Sequence, residues 1–341
     1  SIQRSNLTFN FILSSTMDSK ISFEDIEEML LAVNGRIKGL DTDDNEYDSI
    51  APLWSKELTP AQAINQPKSE AELKASETQW YSKAFDYWES DTNCPITDDG
   101  VLGGYGSVTP MDTRDSNRFL DLLLSQRPGF KLNRVADLGA GIGRVAKNLL
   151  LPRCAYVDLV EQSPRLLAAA PAYLASASVS HFGQMEGIGE SAHTIFTRID
   201  SPEAQALSSR VQLINVGLQD FAPAPDTYDL IWIQWVIGHL HDLDCVRFFR
   251  RCAEGLTPNG LIVLKDNVLL DNALTFLWDR SDSSVARHKR YMKLLLSLAG
   301  LQVIQEVQQT DFPEELFPVM MWAISGTPKQ LTAAAGGDAV R

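Results

Sequence analysis

Val135-Ala136-Asp137-Leu138-Gly139-Ala140-Gly141-Ile142-Gly143-Arg144 is an apolar run that breaks into alternate glycines and then resumes with helix-forming residues. Such a strand, tight turn and helix opens a βα unit. Glycine there gives the backbone freedom and lets a ligand come close, near the partly positive helix N-terminus. Outward from this stretch the alternation continues. Short β-branched runs at 155–161, 211–216, 229–236 and 261–265 alternate with amphipathic segments near 164–176, 243–256 and 284–298. This pattern predicts an α/β fold, an open and mostly parallel sheet with helices on both faces. The last two runs, 301–308 and 319–325, have no long helical pattern between them and predict a hairpin-like antiparallel edge. Ligands of such sheets bind beyond the carboxyl ends of the strands, near the point where strand order reverses.

The glycine spacing narrows the ligand. The dinucleotide fingerprint G-x-G-x-x-G needs its third glycine where this chain has Arg144, and Asp137 precedes the first glycine by two. That spacing favours S-adenosylmethionine over a pyrophosphate, with a close-packing loop that binds nothing as the competing reading. Eighteen residues after Gly143 the next strand ends in Glu161, whose carboxylate at a strand tip can accept hydrogen bonds from both ribose hydroxyls. An ordinary exposed glutamate is the alternative. The run Gly217-Leu218-Gln219-Asp220 ends a third strand, where polar groups can meet an adenine edge.

Composition excludes other classes. Thirty Lys plus Arg against 44 Asp plus Glu give a formal charge of −14 on 341 residues, with no basic stripe for phosphate neutralisation, so no nucleic acid is expected as a partner. The charge is uneven: residues 18–100 hold 19 acidic and 7 basic side chains, while 101–341 carry only −3. Cys94, Cys154, Cys245 and Cys252 show neither C-x-x-C spacing nor a usual ligand spacing with His239 and His241, so neither a metal nor a disulfide framework is expected. A reducing compartment follows. No apolar run approaches a membrane span, and Phe9 to Leu13 is too short for a signal-peptide core. The reading is a soluble protein of cytoplasm and nucleus, with residues 1–16 disordered or upstream of a start at Met17.

Ahead of the glycine stretch, Phe23, Ile26, Met29, Leu30 and Val33 are spaced as one helix, and the acidic run Asp41 to Asp48 reads as a solvated linker. Residues 58–76 read as linker again. An aromatic-rich helical pattern from Glu70 to Trp88 then stops before the loop Asp98-Asp99-Gly100.

Several segments together resemble the α-N-terminal protein methyltransferases. They are Tyr81-Ser82-Lys83-Ala84 with Tyr87-Trp88, Leu102-Gly103-Gly104-Tyr105-Gly106, the turn Gly139 to Arg144, and Gly217 to Phe221. Further on come Ile231 to Leu240, Pro258-Asn259-Gly260, Lys265-Asp266-Asn267 and Asp282-Ser283-Ser284, so that the resemblance covers about residues 80–325. It implies a Rossmann-like class I methyltransferase fold. The sheet would be seven-stranded and mostly parallel, with an antiparallel edge strand and an N-terminal helical extension. Residues 1–70 would be an acidic, partly disordered extension with one short helix. Residues 71–327 would be the methyltransferase domain, with lid helices in 71–125 and an insertion at about 175–208, and 328–341 a flexible tail.

The resemblance also implies an activity, methylation of the free amino terminus of proteins beginning Xaa-Pro-Lys, with S-adenosyl-L-methionine as cofactor. Its cofactor positions fall on Gly139, Gly141, Arg144, Glu161, Gln162, Leu218, Gln219 and Gln234. Arg144 would pair with the methionine carboxylate. His239 and Asp282 would accept or orient the amine proton, and Asn267 would bond the first residue of the peptide. Leu102 and Trp235 would form the proline slot, Asp279, Asp282 and Ser284 would meet the lysine, and Tyr87 and Trp88 would belong to a lid. Plainer readings of the same residues are a hydrogen-bonded strand-end histidine for His239, an N-cap for Asp282-Ser283-Ser284, core for Trp232 and Trp235, and a bare turn for Gly103-Gly104. The chain departs from the family pattern at the 175–208 insertion, at Arg280 where a further acidic residue is usual, and at Phe317 where the family often has an aromatic hydroxyl. The sequence leaves the oligomeric state open.

Overall fold

The hydroxyl of Ser22 accepts from the Asp25 amide while the Asp25 carboxylate accepts from the Ser22 amide, a capping box that starts helix α1, Phe23–Asn34. The structure is a computed structural model that describes residues 21–57, 70–176, 202–270 and 273–326. Phe9 to Leu13, Met17, residues 58–69 of the expected 58–76 linker, residues 177–201 of the 175–208 insertion and the 328–341 tail lie outside the described residues, while residues 70–76 belong to a helix and not to a linker. Ile26, Leu30 and Val33 of α1 are buried, as their spacing predicts, whereas Phe23 is exposed under the guanidinium groups of Arg247 and Arg250.

The acidic run after α1 is not a solvated linker. Strands β1, Lys38–Asp41, and β2, Glu46–Tyr47, pair antiparallel across it, and α2, Ala51–Glu57, follows. The buried Asp41 carboxylate closes the turn by accepting from the amides of Asp43 and Asn45, the Asn45 side chain and the Tyr47 hydroxyl. Short polar side chains here replace the backbone partners that a turn lacks.

Helix α3, Glu70–Glu89, and the single turn α4, Asp98–Val101, capped by Thr97, lead to α5, Thr109–Gln126. The α/β part then follows: β3, Arg134–Leu138, a π-helical turn at Ala146–Leu150, β4, Tyr156–Glu161, α6, Pro164–Ala175, and α7, Pro202–Leu207. Next come β5, Val211–Asn215, β6, Tyr228–Gln234, α8, Asp242–Glu254, and the long β7, Leu256–Leu269. The chain ends with β8, Thr275–Asp279, β9, Ser284–His288, α9, Lys289–Leu298, β10, Leu301–Gln308, and β11, Val319–Gly326.

Seven strands form the main sheet in the order β5-β4-β3-β6-β7-β11-β10, parallel except for β11, which runs against both neighbours. The antiparallel member therefore sits one place inside the edge, and β10 is the edge. Period-2 alternation sends Ala136, Leu138, Ile231, Ile233, Ile262 and Leu264 to a core shared with α1, α2, α8 and α9. Val135, Leu230, Trp232, Leu261 and Val263 face the opposite core, with α5 and α6. At its C-terminal end β7 continues into a second set of strands, β7-β9-β8-β1-β2, so residues 38–47 belong to the sheet system. This corrects two readings. The helix expected from 284 begins only at Lys289, capped by His288, because Ser284–His288 pairs with β8 and with Val268 and Leu269 of β7. Asp282-Ser283-Ser284 is accordingly the β8–β9 connection and not an N-cap. No helix among the described residues is long and apolar enough to cross a membrane.

One buried polar cluster ties the N-terminal segment to the domain. Asp242 accepts from Trp54 Nε1 at 2.6 Å, Tyr291 Oη at 2.7 Å, Asn34 Nδ2 at 3.2 Å and Arg287 Nε at 2.9 Å. Arg287, fully buried, also donates to the carbonyl of Leu240 at 2.5 Å. Removing the carboxylate leaves a guanidinium buried without its counter-charge. The variant Asp242→Ala is therefore expected to lose about 3–5 kcal/mol of stability in chemical denaturation.

Candidate active site

The glycines of the opening stretch adopt left-handed backbone, φ +69° at Gly139, +55° at Gly141 and +85° at Gly143. A Cβ on Gly139 would come within 2.6–2.9 Å of Val236, just past the end of β6, whereas one on Gly141 would meet only Val101 at 3.5 Å. The first glycine thus lets two strand ends approach, and the second keeps the turn's surface bare. Gly141 N donates to Glu161 Oε2 at 2.9 Å, and Ser163 N donates to Oε1 at 2.8 Å. Burial raises the Glu161 carboxyl above its ordinary value against these two bonds. Asp137, fixed by the Ala146 amide at 3.0 Å, is pushed up by burial to about 7. It supports the loop from behind and stands outside the cleft lining.

That cleft, about 910 Å³ counting its open mouth, is lined by Gly139, Gly141, Arg144, Glu161, Gln162, Leu218, Gln219 and Gln234. Every position that the resemblance gives to the cofactor is therefore on one wall or another of a single cavity, of the size that holds cofactors. Trp88, Leu102, Trp235 and His239 line it too. The donor set suits a nucleoside carrying an amino acid. Glu161 offers a carboxylate at the tip of β4, Leu218 and Leu166 give apolar walls, and Arg144 supplies a cation.

Arg144 is not a free cation. Its Nη1 lies 2.7 Å from Asp112 Oδ2, and its guanidinium stands 5.4 Å from the Trp235 ring. Asp112 also meets Lys265 Nζ at 2.5 Å and Gln234 Nε2 at 2.9 Å. Burial alone would raise the Asp112 carboxyl, but Arg144 and Lys265 hold it below its ordinary value. Of these three charges only Arg144 lines the cleft, and Lys265, buried behind it, shares Asp112 so that the guanidinium is not the carboxylate's sole partner. Lys265 is anchored further by Ser116 at 2.9 Å and Gln309 at 2.6 Å. Asp112 and Lys265 were not foreseen from the sequence. Lys265 lies in the family-like segment Lys265-Asp266-Asn267 without a role attached to it, Asp112 lies in no such segment, and 153 residues separate the two partners.

Helix α3 covers the other end. Trp80 Nε1 donates to the His239 carbonyl at 2.7 Å, and Trp88 Nε1 lies 3.0 Å from His239 Nε2. An indole only donates, so Nε2 accepts, the ring proton sits on Nδ1, and Nδ1 donates to the Ser283 carbonyl at 3.2 Å. His239 is thereby fixed as one neutral tautomer between α3 and the β8–β9 connection. Its turn is held from below by Asp266, whose Oδ2 accepts the Ile237 amide at 3.3 Å and whose carboxyl burial raises to about 6. The sequence offered Asp266 only as a neighbour of Asn267, which lies half-buried on β7 opposite Val319.

Asp282 is half-buried, and its Oδ1 has no hydrogen-bond partner. Burial raises its carboxyl, which hydrogen bonds from Ser284 partly offset. Tyr87 feels the same neighbourhood. Burial, then the charges of Asp282 and Asp279, raise its hydroxyl above the ordinary value. Asp279 accepts from the Ser281 amide at 2.8 Å, and the Ser284 side chain lies beside Gly238. Tyr87, Asn267, Asp279, Asp282 and Ser284 thus lie outside the cleft lining, four of them on α3 and the β8–β9 hairpin. Trp235 has φ +52° and a buried indole N–H without a partner. An orphaned donor and an orphaned acceptor in one region are what a polar ligand would satisfy.

A family model described as "AdoMet dependent proline di-methyltransferase" matches residues 76–325. The chain belongs to this family. It is 38% identical over 290 residues to an alpha N-terminal protein methyltransferase 1 of Dictyostelium discoideum, covering 84% of this chain and 90% of that one. It is also 41% identical to an N-terminal Xaa-Pro-Lys N-methyltransferase 1 of Danio rerio, over 74% of this chain and 98% of the relative. A solved SAM-dependent methyltransferase from Leishmania major superposes with a TM-score of 0.64 at 33% identity, over 85% of this chain and 96% of that one. The fold is the Rossmann-like methyltransferase fold, and the cofactor of this enzyme is S-adenosylmethionine.

The glycine geometry makes a test possible. Gly139→Ala meets both a left-handed φ and Val236, so affinity for S-adenosylhomocysteine in calorimetric titration is expected to fall about tenfold or more. Gly141→Ala bears only the backbone strain of about 1–2 kcal/mol, visible first as a lower melting temperature.

Proposed function

We propose that the protein methylates the free α-amino group of proteins that begin Xaa-Pro-Lys. The observation that carries this reading is the uncommitted Oδ1 of Asp282, a buried acceptor near His239 at the lid end of a cofactor-sized cleft. The name of the Danio rerio relative supports it.

The cofactor supplies a methyl group on a sulfonium, open to in-line displacement. The protein's task is to present a neutral amine in line with it. An α-amino group has a pKa of about 7.7–8.0, so a modest acceptor suffices to take its extra proton. Asp282 accepts one N–H through Oδ1, and burial brings its carboxyl closer to the amine's range than an ordinary aspartate. His239 orients the amine through Nε2 once the Trp88 indole yields that position. Asn267 bonds the first residue of the peptide. Leu102 and Trp235 receive the proline, and the left-handed backbone at Trp235 sets the ring's direction. Asp279, Asp282 and Ser284 take the lysine, while Tyr87 and Trp88 close over the pair and exclude water. Positioning supplies most of the rate enhancement. The four cysteines are buried thiols without disulfide partners, which suits the reducing interior of cytoplasm and nucleus.

The reading is checked with S-adenosylmethionine, a Ser-Pro-Lys peptide, its N-acetylated form and a Ser-Pro-Gln peptide, followed by mass. One to three methyl groups are expected on the free Ser-Pro-Lys peptide and none on the acetylated one; transfer to the acetylated peptide, or to none, sinks it. Asp282→Asn and His239→Ala are expected to lower kcat about 10²-fold or more while cofactor binding is kept. The pH dependence has a definite sign. A raised carboxyl is protonated at a pH above the usual 3.8, so kcat climbs with pH through that limb, and Asp282→Asn should lack it.

A further inference from the structure

Arg280 is the one cation in the connection Asp279-Arg280-Ser281-Asp282, a place where a positive charge would compete with a cationic substrate. It does not face that way unrestrained. Its amide donates to Thr42 Oγ1 at 3.2 Å, and its Nη1 lies 2.9 Å from Asp43 and 3.5 Å from Asp41. Its guanidinium also stands 5.3 Å from the Trp278 ring. All the groups outside its own hairpin belong to the β1–β2 turn, which is itself rigidly held. Asp41 is buried and closed by four donors, and the Thr42 amide donates to the Trp278 carbonyl at 3.0 Å. Strand β1 pairs with β8 up to Asp41 opposite Trp278, one residue before Asp279. The acidic N-terminal segment is thus built directly onto the hairpin that carries Asp279 and Asp282.

We propose that the β1–β2 turn is a specificity element of the peptide site, in which Asp41 and Asp43 hold Arg280 aside so that Asp279 and Asp282 stay available to a cationic third residue of the substrate. The inference rests on the proposed N-terminal methylation and adds to it a selecting role for residues 38–47. Each exposed ion pair is weak alone, and the Arg280–Asp43 pair is largely solvated. The restraint comes from several contacts on one guanidinium. Released, the guanidinium would sit within a few ångströms of two carboxylates and screen them from the substrate.

The test compares kcat/KM for Ser-Pro-Lys and Ser-Pro-Gln peptides in the full chain, with S-adenosylhomocysteine binding and melting temperature as folding controls. Asp41→Asn/Asp43→Asn is expected to lower kcat/KM for the lysine peptide roughly three- to tenfold, through KM, with the glutamine peptide unaffected. Asp43→Asn alone, at an exposed side chain, gives a smaller loss of the same kind should the double variant fold poorly. Adding Arg280→Gln restores the lysine preference, and raising the salt shrinks the difference. Equal losses on both peptides, or a loss that persists in the Arg280→Gln background, would overturn the inference. A native protein that methylates Ser-Pro-Lys but shows no preference for it overturns the selecting role while leaving N-terminal methylation intact. One that leaves every peptide unmodified overturns both.

Discussion

Strand β7 is the constraint on which the site depends, because one 14-residue strand serves two sheets and two successive residues of it face two different parts of the site. Period-2 alternation turns Lys265 to the α5 side, where it meets Asp112, and Asp266 to the other, where it meets the Ile237 amide. The Asp112 carboxylate behind Arg144 and the His239 turn are therefore set by adjacent residues of one rigid element. Two residues on, Val268 and Leu269 pair with β9 and so place the connection that contains Asp282. Any shift in the register of β7 would move the Lys265–Asp112 pair, the histidine and the Asp282 carboxylate together.

Much of this was legible in the sequence because it is local. The glycine turn, the β4 tip at Glu161 and the βα alternation each lie within a dozen residues, and their physics is that of one strand, one turn and one helix. What escaped reading was non-local or short. Lys38–Asp41 is four residues long beside an acidic run, and it becomes a strand only because β8 offers it a partner. Asp282-Ser283-Ser284 matches the chemistry of an N-cap, yet buried Val285 and Arg287 alternate with half-buried Ser284 and Ala286 as a strand does, and the helix waits for His288. Asp112 carried no signal at all, since its meaning lies in Arg144 and Lys265.

The uneven charge gains a structural meaning from the same facts. A net of −14 suggests a general attraction for basic partners, but several described acidic residues of the N-terminal segment have specific structural employment. Asp25 caps α1, Asp41 closes a turn, and Asp43 engages Arg280. In the proposed reaction, selection of a cation would fall to a few carboxylates in fixed places, because beyond a Debye length of about 8 Å the diffuse charge is largely screened. Diffuse acidity of this kind acts in general on the speed of encounter instead.

His239 shows how the lid and the chemistry are joined. A strand-end histidine with both ring nitrogens bonded is, taken alone, a structural residue. Here one partner is the Trp88 indole of α3 and the other is the Ser283 carbonyl, one residue from Asp282. The lid therefore imposes the tautomer with its lone pair on Nε2, the nitrogen that faces the indole, while the hairpin holds the proton on Nδ1. In the proposed reaction, an amine that took the indole's place as the donor would find proton and ring already placed. That arrangement spares reorganisation at the moment of reaction, which is where a preorganised polar site has its advantage over water.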